Sequence, residues 1–126
     1  MQINRTADGN RENVGTPFHP ERLLGYLGLA RKAGRLVIGT EAVTETVRSG
    51  QRGRKPYIVF LAADVSDNTK KRIENGCTYY RVRCITLPIE TYVLGHAIGK
   101  TGCIAAVGIM DEGFARAMEK CLDGSG

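Results

Sequence analysis

Residues 31–50, RKAGRLVIGTEAVTETVRSG, place a basic helix end, a short apolar strand and the Gly-Thr start of another helix in one continuous stretch. Arg31, Lys32 and Arg35 supply three cations. Gly39 and Thr40 open the second helix, whose first amides have no acceptor within the helix and point outward. Outward amides at the positive end of a helix dipole, with cations nearby, favour an anion. Phosphate is the commonest biological anion, so the chemistry on offer is the binding of a nucleic-acid backbone.

The charge distribution points the same way. The chain has 126 residues and a net charge of +5. Residues 31–72 hold ten Lys/Arg against four acids, a local excess of +6 that leaves −1 for the remainder. A clustered excess fits a polyanion better than an evenly raised pI would, although the plainer reading is a solvated basic face. Catalytic signatures are sparse. No GxGxxG follows a strand, and no GxxxxGK followed by Ser or Thr is present, so the usual phosphate loops of nucleotide enzymes are missing. His19 and His96 have no nucleophile motif beside them. Asp64 and Asp111 follow strands, where ligands often bind in open α/β sheets, yet acids in such places are more often helix caps or turn formers.

Four cysteines, Cys77, Cys84, Cys103 and Cys121, are separated by six, eighteen and seventeen residues, spacings that do not match a zinc site. Cys84 and Cys103 lie in apolar runs and read as reduced core thiols. No catalytic residue, metal or cofactor is expected. The polar N-terminus lacks the apolar segment of a signal peptide, and no run approaches the ~20 apolar residues of a membrane span. The expected setting is cytoplasmic, with no membrane partner.

The elements that must carry these residues follow from apolar periodicity. Residues 1–18 are polar, rich in Gly and Asn and aperiodic, and read as a flexible arm; residues 19–124 read as one domain. Pro20 opens a helix running to about Ala33, with Leu23, Leu24, Leu27 and Ala30 on one face. Residues 36–38 form a short strand, and residues 40–49 a helix with Val43, Thr46 and Val47 inward and Gly50 as its cap. Residues 57–62, YIVFLA, are continuously apolar and predict a strand buried on both faces. Ser66 caps a polar helix to about Asn75, which Gly76 ends, and its Lys70, Lys71 and Arg72 read as solvent charges. Residues 83–87 and 103–109 are further strands, residues 89–98 a helix, and Phe114, Met118, Cys121 and Leu122 the stripe of a final amphipathic helix. This alternation predicts an α/β fold: a three-layer α-β-α sandwich with a four-stranded central sheet and helices on both faces.

Four strings in this order, LLGYLGLARKAGRLVIG (residues 23–39), AADVSDNTKKRIENGCTYY (residues 62–80), LGHAIGK (residues 94–100) and AVGIMDEGFA (residues 106–115), resemble the ribosomal L7Ae/L30e superfamily of kink-turn RNA-binding proteins, in its bacterial YlxQ-type branch. The resemblance extends from about residue 21 to 122. It implies the same sandwich, with an RNA surface built from residues 39–41, 63–65 and 99–102. On that expectation Gly39 allows close backbone approach, Thr40 and Glu41 meet base edges, Asp64 lies in the second place, and Lys100 and Thr101 lie in the third. Arg31, Lys32 and Arg35 reach flanking phosphates, which position the RNA without specifying its sequence. The implied partner is ribosomal or other structured RNA, with the ribosome as its setting and the protein a monomer.

One departure bears on specificity. Archaeal-type relatives carry Gly-x-Asn-Glu-x-x-Lys at the second helix start, whereas this chain reads Gly39, Thr40, Glu41, Ala42, Val43, Thr44, Glu45. An Asn amide donates and accepts at a base edge; an ionised Glu41 only accepts, and Glu45 puts an anion where a cation would pair with phosphate. General RNA binding survives this better than tight kink-turn recognition. Two other readings follow: a protein-interaction module of the same fold that has lost its RNA site, and a small α/β enzyme or detached substrate-recognition domain with Asp64 and Asp111 in a pocket.

Overall fold

A computed structural model describes residues 20–49, 55–100 and 102–123. The arm expected over residues 1–18, the cap expected at Gly50 and the candidate Thr101 lie outside the described residues. In chain order the elements are α1 (Pro20–Lys32), β1 (Leu36–Ile38), α2 (Thr40–Ser49), β2 (Ile58–Leu61), α3 (Asp67–Tyr80), β3 (Arg83–Thr86), α4 (Thr91–Ala97), β4 (Ala106–Ile109) and α5 (Glu112–Asp123). The strands form one sheet in the order β1-β4-β2-β3. Strand β4 runs antiparallel to both β1 and β2, and β2 runs parallel to β3.

Every residue of β2 and β4 is buried, which requires cover on both faces. Ile58 and Phe60 point to one side, into a core with Leu23, Leu27, Leu94, Ile98 and Met118 from α1, α4 and the α5 stripe. Val59 and Leu61 point to the other, against Val43, Val47, Ile73 and Cys77 from α2 and α3. The expected three-layer α-β-α sandwich is therefore present. Thr46, also inward, satisfies its hydroxyl by donating to the Ala42 carbonyl at 2.8 Å.

Three local expectations are corrected by the packing. Gly76 does not end α3, because Ile73 and Cys77 are both buried in the second core and hold the helix together past it. The helix ends instead at Arg81, in the left-handed region at φ 61°. There the Val82 amide donates to Cys77 and the Arg81 amide to Thr78, the paired pattern of a Schellman stop. Second, residues 103–105 are not strand. The Ile104 amide donates to the Thr91 carbonyl at 3.1 Å, so this segment follows α4 and Cys103 is exposed rather than a core thiol. Third, α4 is shorter than the predicted 89–98 and starts at Thr91.

A polar latch explains that start. The Thr91 amide donates to Asp64 Oδ1 at 2.7 Å and its hydroxyl to Oδ2 at 3.1 Å, so Asp64 ties α4 to the turn after β2. Asp111 accepts from the Phe114 amide at 3.0 Å and caps α5. The hydrogen bond from the Thr91 backbone holds the Asp64 carboxyl below its usual range. A depressed folded-state pKa stabilises above the unfolded value and loses that contribution as pH falls through the folded one.

Close packing also fixes the segment after α4. A Cβ on Gly95 would lie 2.0 Å from the Gly102 carbonyl oxygen, so only glycine fits beneath that backbone. Gly95→Ala is expected to cost about 1–3 kcal/mol or more through overpacking, read as a lower urea midpoint. Asp64→Asn is expected to lower stability near neutral pH and to flatten its decline under acid. Both are read from thermal melts across pH, and an unchanged acid limb removes Asp64 from that role.

Candidate nucleic-acid interface

Strands β1, β2 and β3 end at the same edge of the sheet, and each leads into a helix that starts there. The starts of α2, α3 and α4 thus bring three positive dipole ends to one edge, the place where ligands meet α/β sheets. Gly39 makes the first of these turns. Its amide continues the sheet by donating to Ala106 at 2.9 Å, and its carbonyl already accepts from Val43 at 2.9 Å. One residue at φ 98° therefore converts strand to helix, a conformation that favours glycine. The amides of Thr40, Glu41 and Ala42 find no backbone acceptor among the described residues.

The two glutamates of this helix are neutralised. Glu41 accepts from both Arg72 guanidinium nitrogens at 2.9 Å across to α3. Those bonds, and then the charge of Arg72, hold its carboxyl below the usual range. Glu45 accepts from Arg48 at 2.5 Å and from the Ser49 hydroxyl at 2.8 Å, which lowers it likewise. Arg72 is therefore not the free solvent charge that the sequence indicated; it brings a guanidinium beside the first turn of α2.

The third place lies along α4. Gly99 turns the chain at φ 77°, and the Lys100 amide donates back to Gly95 at 2.8 Å. A Cβ on Gly99 would sit 3.4 Å from Arg31 Nη1, so that guanidinium lies against the loop backbone. Tyr92, Val93, His96, Lys100, Gly102 and Cys103 line an open cleft of about 600 Å³. Tyr92 is 61 % exposed. An aromatic face, an imidazole and an amine along one cleft suit an unstacked base and its phosphate.

The predicted residues divide by position. Gly39, Thr40, Glu41 and Asp64 share the sheet edge, and Arg31 joins Lys100 at the loop after α4. Lys32 and Arg35 are exposed at the other end of β1: the Arg35 carbonyl accepts from Met110, at the far end of β4 from Ala106. About 13 Å of strand separates Arg35 from Gly39. The Asp64 carboxylate serves α4. Sequence reasoning missed Arg72, Tyr92 and His96. The last two had a signal, since Tyr92 and His96 stand four residues apart on one side of a helix. Arg72 had none, being 31 residues from Glu41.

Among the described residues no helix is long and apolar enough to cross a membrane, and no group of three or more His, Cys, Asp or Glu could hold a metal ion.

Comparisons with known proteins identify the family. The profile of the Ribosomal protein L7Ae/L30e/S12e/Gadd45 family matches residues 21–119. The chain is 35% identical over 104 residues to the RNA-binding protein YlxQ of Enterococcus faecium, covering 82% of this chain and 94% of the relative. It is 34% identical over 97 residues to RNA-binding protein YlxQ of Bacillus subtilis (strain 168), covering 77% and 91%. A solved structure from Bacillus halodurans C, described as a protein of unknown function, superposes with a TM-score of 0.71 at 32% identity, covering 81% of this chain and 97% of that one. The Giardia lamblia 15.5kD RNA binding protein shares the fold, with a TM-score of 0.63 at 16% identity over 88% and 93% of the two chains. The chain belongs to the L7Ae/L30e/S12e/Gadd45 family, in the branch of the YlxQ RNA-binding proteins.

Proposed function

We propose that the protein is a non-catalytic binder of structured, kink-turn-like RNA, acting as a monomer in a cytoplasmic, ribosome- or translation-related setting. Residues 19–124 serve as the RNA-binding domain and residues 1–18 as an arm. The observation that carries this reading is the sheet edge at Gly39, where open amides at the start of α2 lie beside two further helix starts. The printed names of the YlxQ relatives support an RNA partner.

On this reading a phosphate docks on the amides of residues 40–42, and Gly39 lets the sugar–phosphate chain come close. Lys100 and Arg31 pair with flanking phosphates. Tyr92 offers a face to an unstacked base. Glu41, an acceptor only, takes an amino group of guanine or cytosine, and the guanidinium of Arg72 then turns to phosphate. Asp64 contributes by holding the start of α4. Lys32 and Arg35 reach only outlying phosphates. The alternative, a protein-interaction module, was motivated by Glu41 and Glu45; their pairing with Arg72 and Arg48 weakens that motive.

A titration with kink-turn RNA and with a straight duplex of the same composition tests the reading. Kink-turn RNA is expected to bind more tightly, with a log–log salt slope of about −0.7 to −0.9 per neutralised phosphate. Lys100→Gln weakens both RNAs and makes the slope shallower by about 1. Equal, salt-independent or absent binding overturns it. Arg72→Gln leaves an uncompensated carboxylate at the docking point and is expected to weaken RNA binding several-fold. Its melting temperature should stay nearly constant, because exposed ion pairs contribute little. Adding Glu41→Gln restores part of the lost affinity, measured by the same titration.

A further inference from the structure

The opposite end of the α2/α3 layer carries a second basic surface, organised around tyrosines. Tyr79, in the last turn of α3, is 78 % exposed. Its ring meets Tyr80 edge-on, with centroids 4.8 Å apart and planes at 81°. The Lys55 ammonium sits 4.7 Å from the centre of the Tyr80 ring, which fixes Tyr80 and leaves Tyr79 open. Tyr57, one residue before the pairing of Ile58 with Arg83, is 51 % exposed. Arg83 is tied to Glu119 and Arg48 to Glu45, but neither Lys55 nor Arg81 has an ion-pair partner among the described residues. The 14 residues of α3 hold this surface about 20 Å from the edge at Gly39.

Arg81 itself is informative. It occupies the left-handed position after a helix, where glycine is the usual and less strained residue, and it is the only non-glycine with positive φ among the described residues. An exposed cation at a position that disfavours it, two residues after an exposed tyrosine, is a feature that the fold alone does not call for.

We propose that this surface is a second nucleic-acid contact that takes a single-stranded RNA segment. A base stacks on the open face of Tyr79, and Lys55 and Arg81 pair with the phosphates on either side. Stacking on a protruding ring needs an unpaired base, which excludes intact duplex. An acidic peptide would satisfy the cations but leave the ring unused. The proposal rests on the RNA-binding reading only in its choice of polymer, since no residue is shared with the Gly39 edge.

The test uses the full chain, a labelled oligouridylate, and a blunt-ended kink-turn RNA. Tyr79→Ala is expected to lower oligouridylate affinity about fivefold or more while leaving the blunt kink-turn RNA unaffected. Arg81→Gly is expected to raise the melting temperature, yet to weaken oligouridylate binding and make its salt slope shallower by about 0.7. A purely structural role would not split the two readouts. The chain has no tryptophan, so Tyr79→Trp provides a sole indole whose emission oligouridylate should quench. If the wild-type protein binds the kink-turn RNA but these variants leave oligouridylate binding unchanged, this surface is excluded and the Gly39 edge stands. If oligouridylate responds to Tyr79 and Arg81 while the kink-turn RNA does not bind, the second contact stands and the kink-turn reading falls. Loss of oligouridylate binding through Lys100→Gln alone, or no binding by the wild-type protein, overturns the proposal.

Discussion

Strands β2 and β4 present no polar face: all eight of their residues are buried, so the sheet must be covered on both sides. That requirement makes the chain alternate between strand and helix, and the direction of travel then organises everything else. Strands β1, β2 and β3 end at the same edge, and each hands over to a helix there. Helix starts collect at that edge, while the ends of α2 and α3 collect at the other. The positive ends of the dipoles are gathered where an anion can approach. Cations such as Arg48, in the last turn of α2, sit at the negative ends.

Acidic residues at the helix starts are consistent with the same field. Asp64 fastens α4, Asp111 caps α5, and Glu41 lies in the first turn of α2. Left alone, Glu41 would repel phosphate; its bidentate pairing to Arg72 changes a negative spot into a neutral one with a guanidinium in reserve. The partner arrives from a different helix, so this electrostatic balance exists only once α2 and α3 have packed against the sheet. Two thiols meet beneath that layer: the hydrogen bond between Cys77 of α3 and Cys84 of β3, together with burial, pushes the Cys84 thiol far up.

Periodicity and punctuation make most of the elements legible in the sequence. Pro20, Ser66 and Gly39 mark helix starts by local backbone chemistry, and YIVFLA marks a fully buried strand by composition alone. The failures were places where packing outvoted local preference. Gly76 reads as a stop, yet Ile73 and Cys77 on one buried stripe carry α3 through it. Cys103 sits in an apolar run, yet its segment leaves the sheet to follow α4, because Gly95 admits the backbone of Gly102 so closely.

The candidate site divides along the same line. The sequence by itself determined the anion-friendly turn at Gly39, since it depends on residues within one helical turn. Only the tertiary structure decided which cations belong to that edge. Arg72 reaches it from α3, Arg31 lies instead against the loop at Gly99, and Arg35, close in sequence, is carried away along β1. Charge acts through space and is indifferent to chain order, so a basic cluster in sequence becomes a surface only after the sheet has placed its ends.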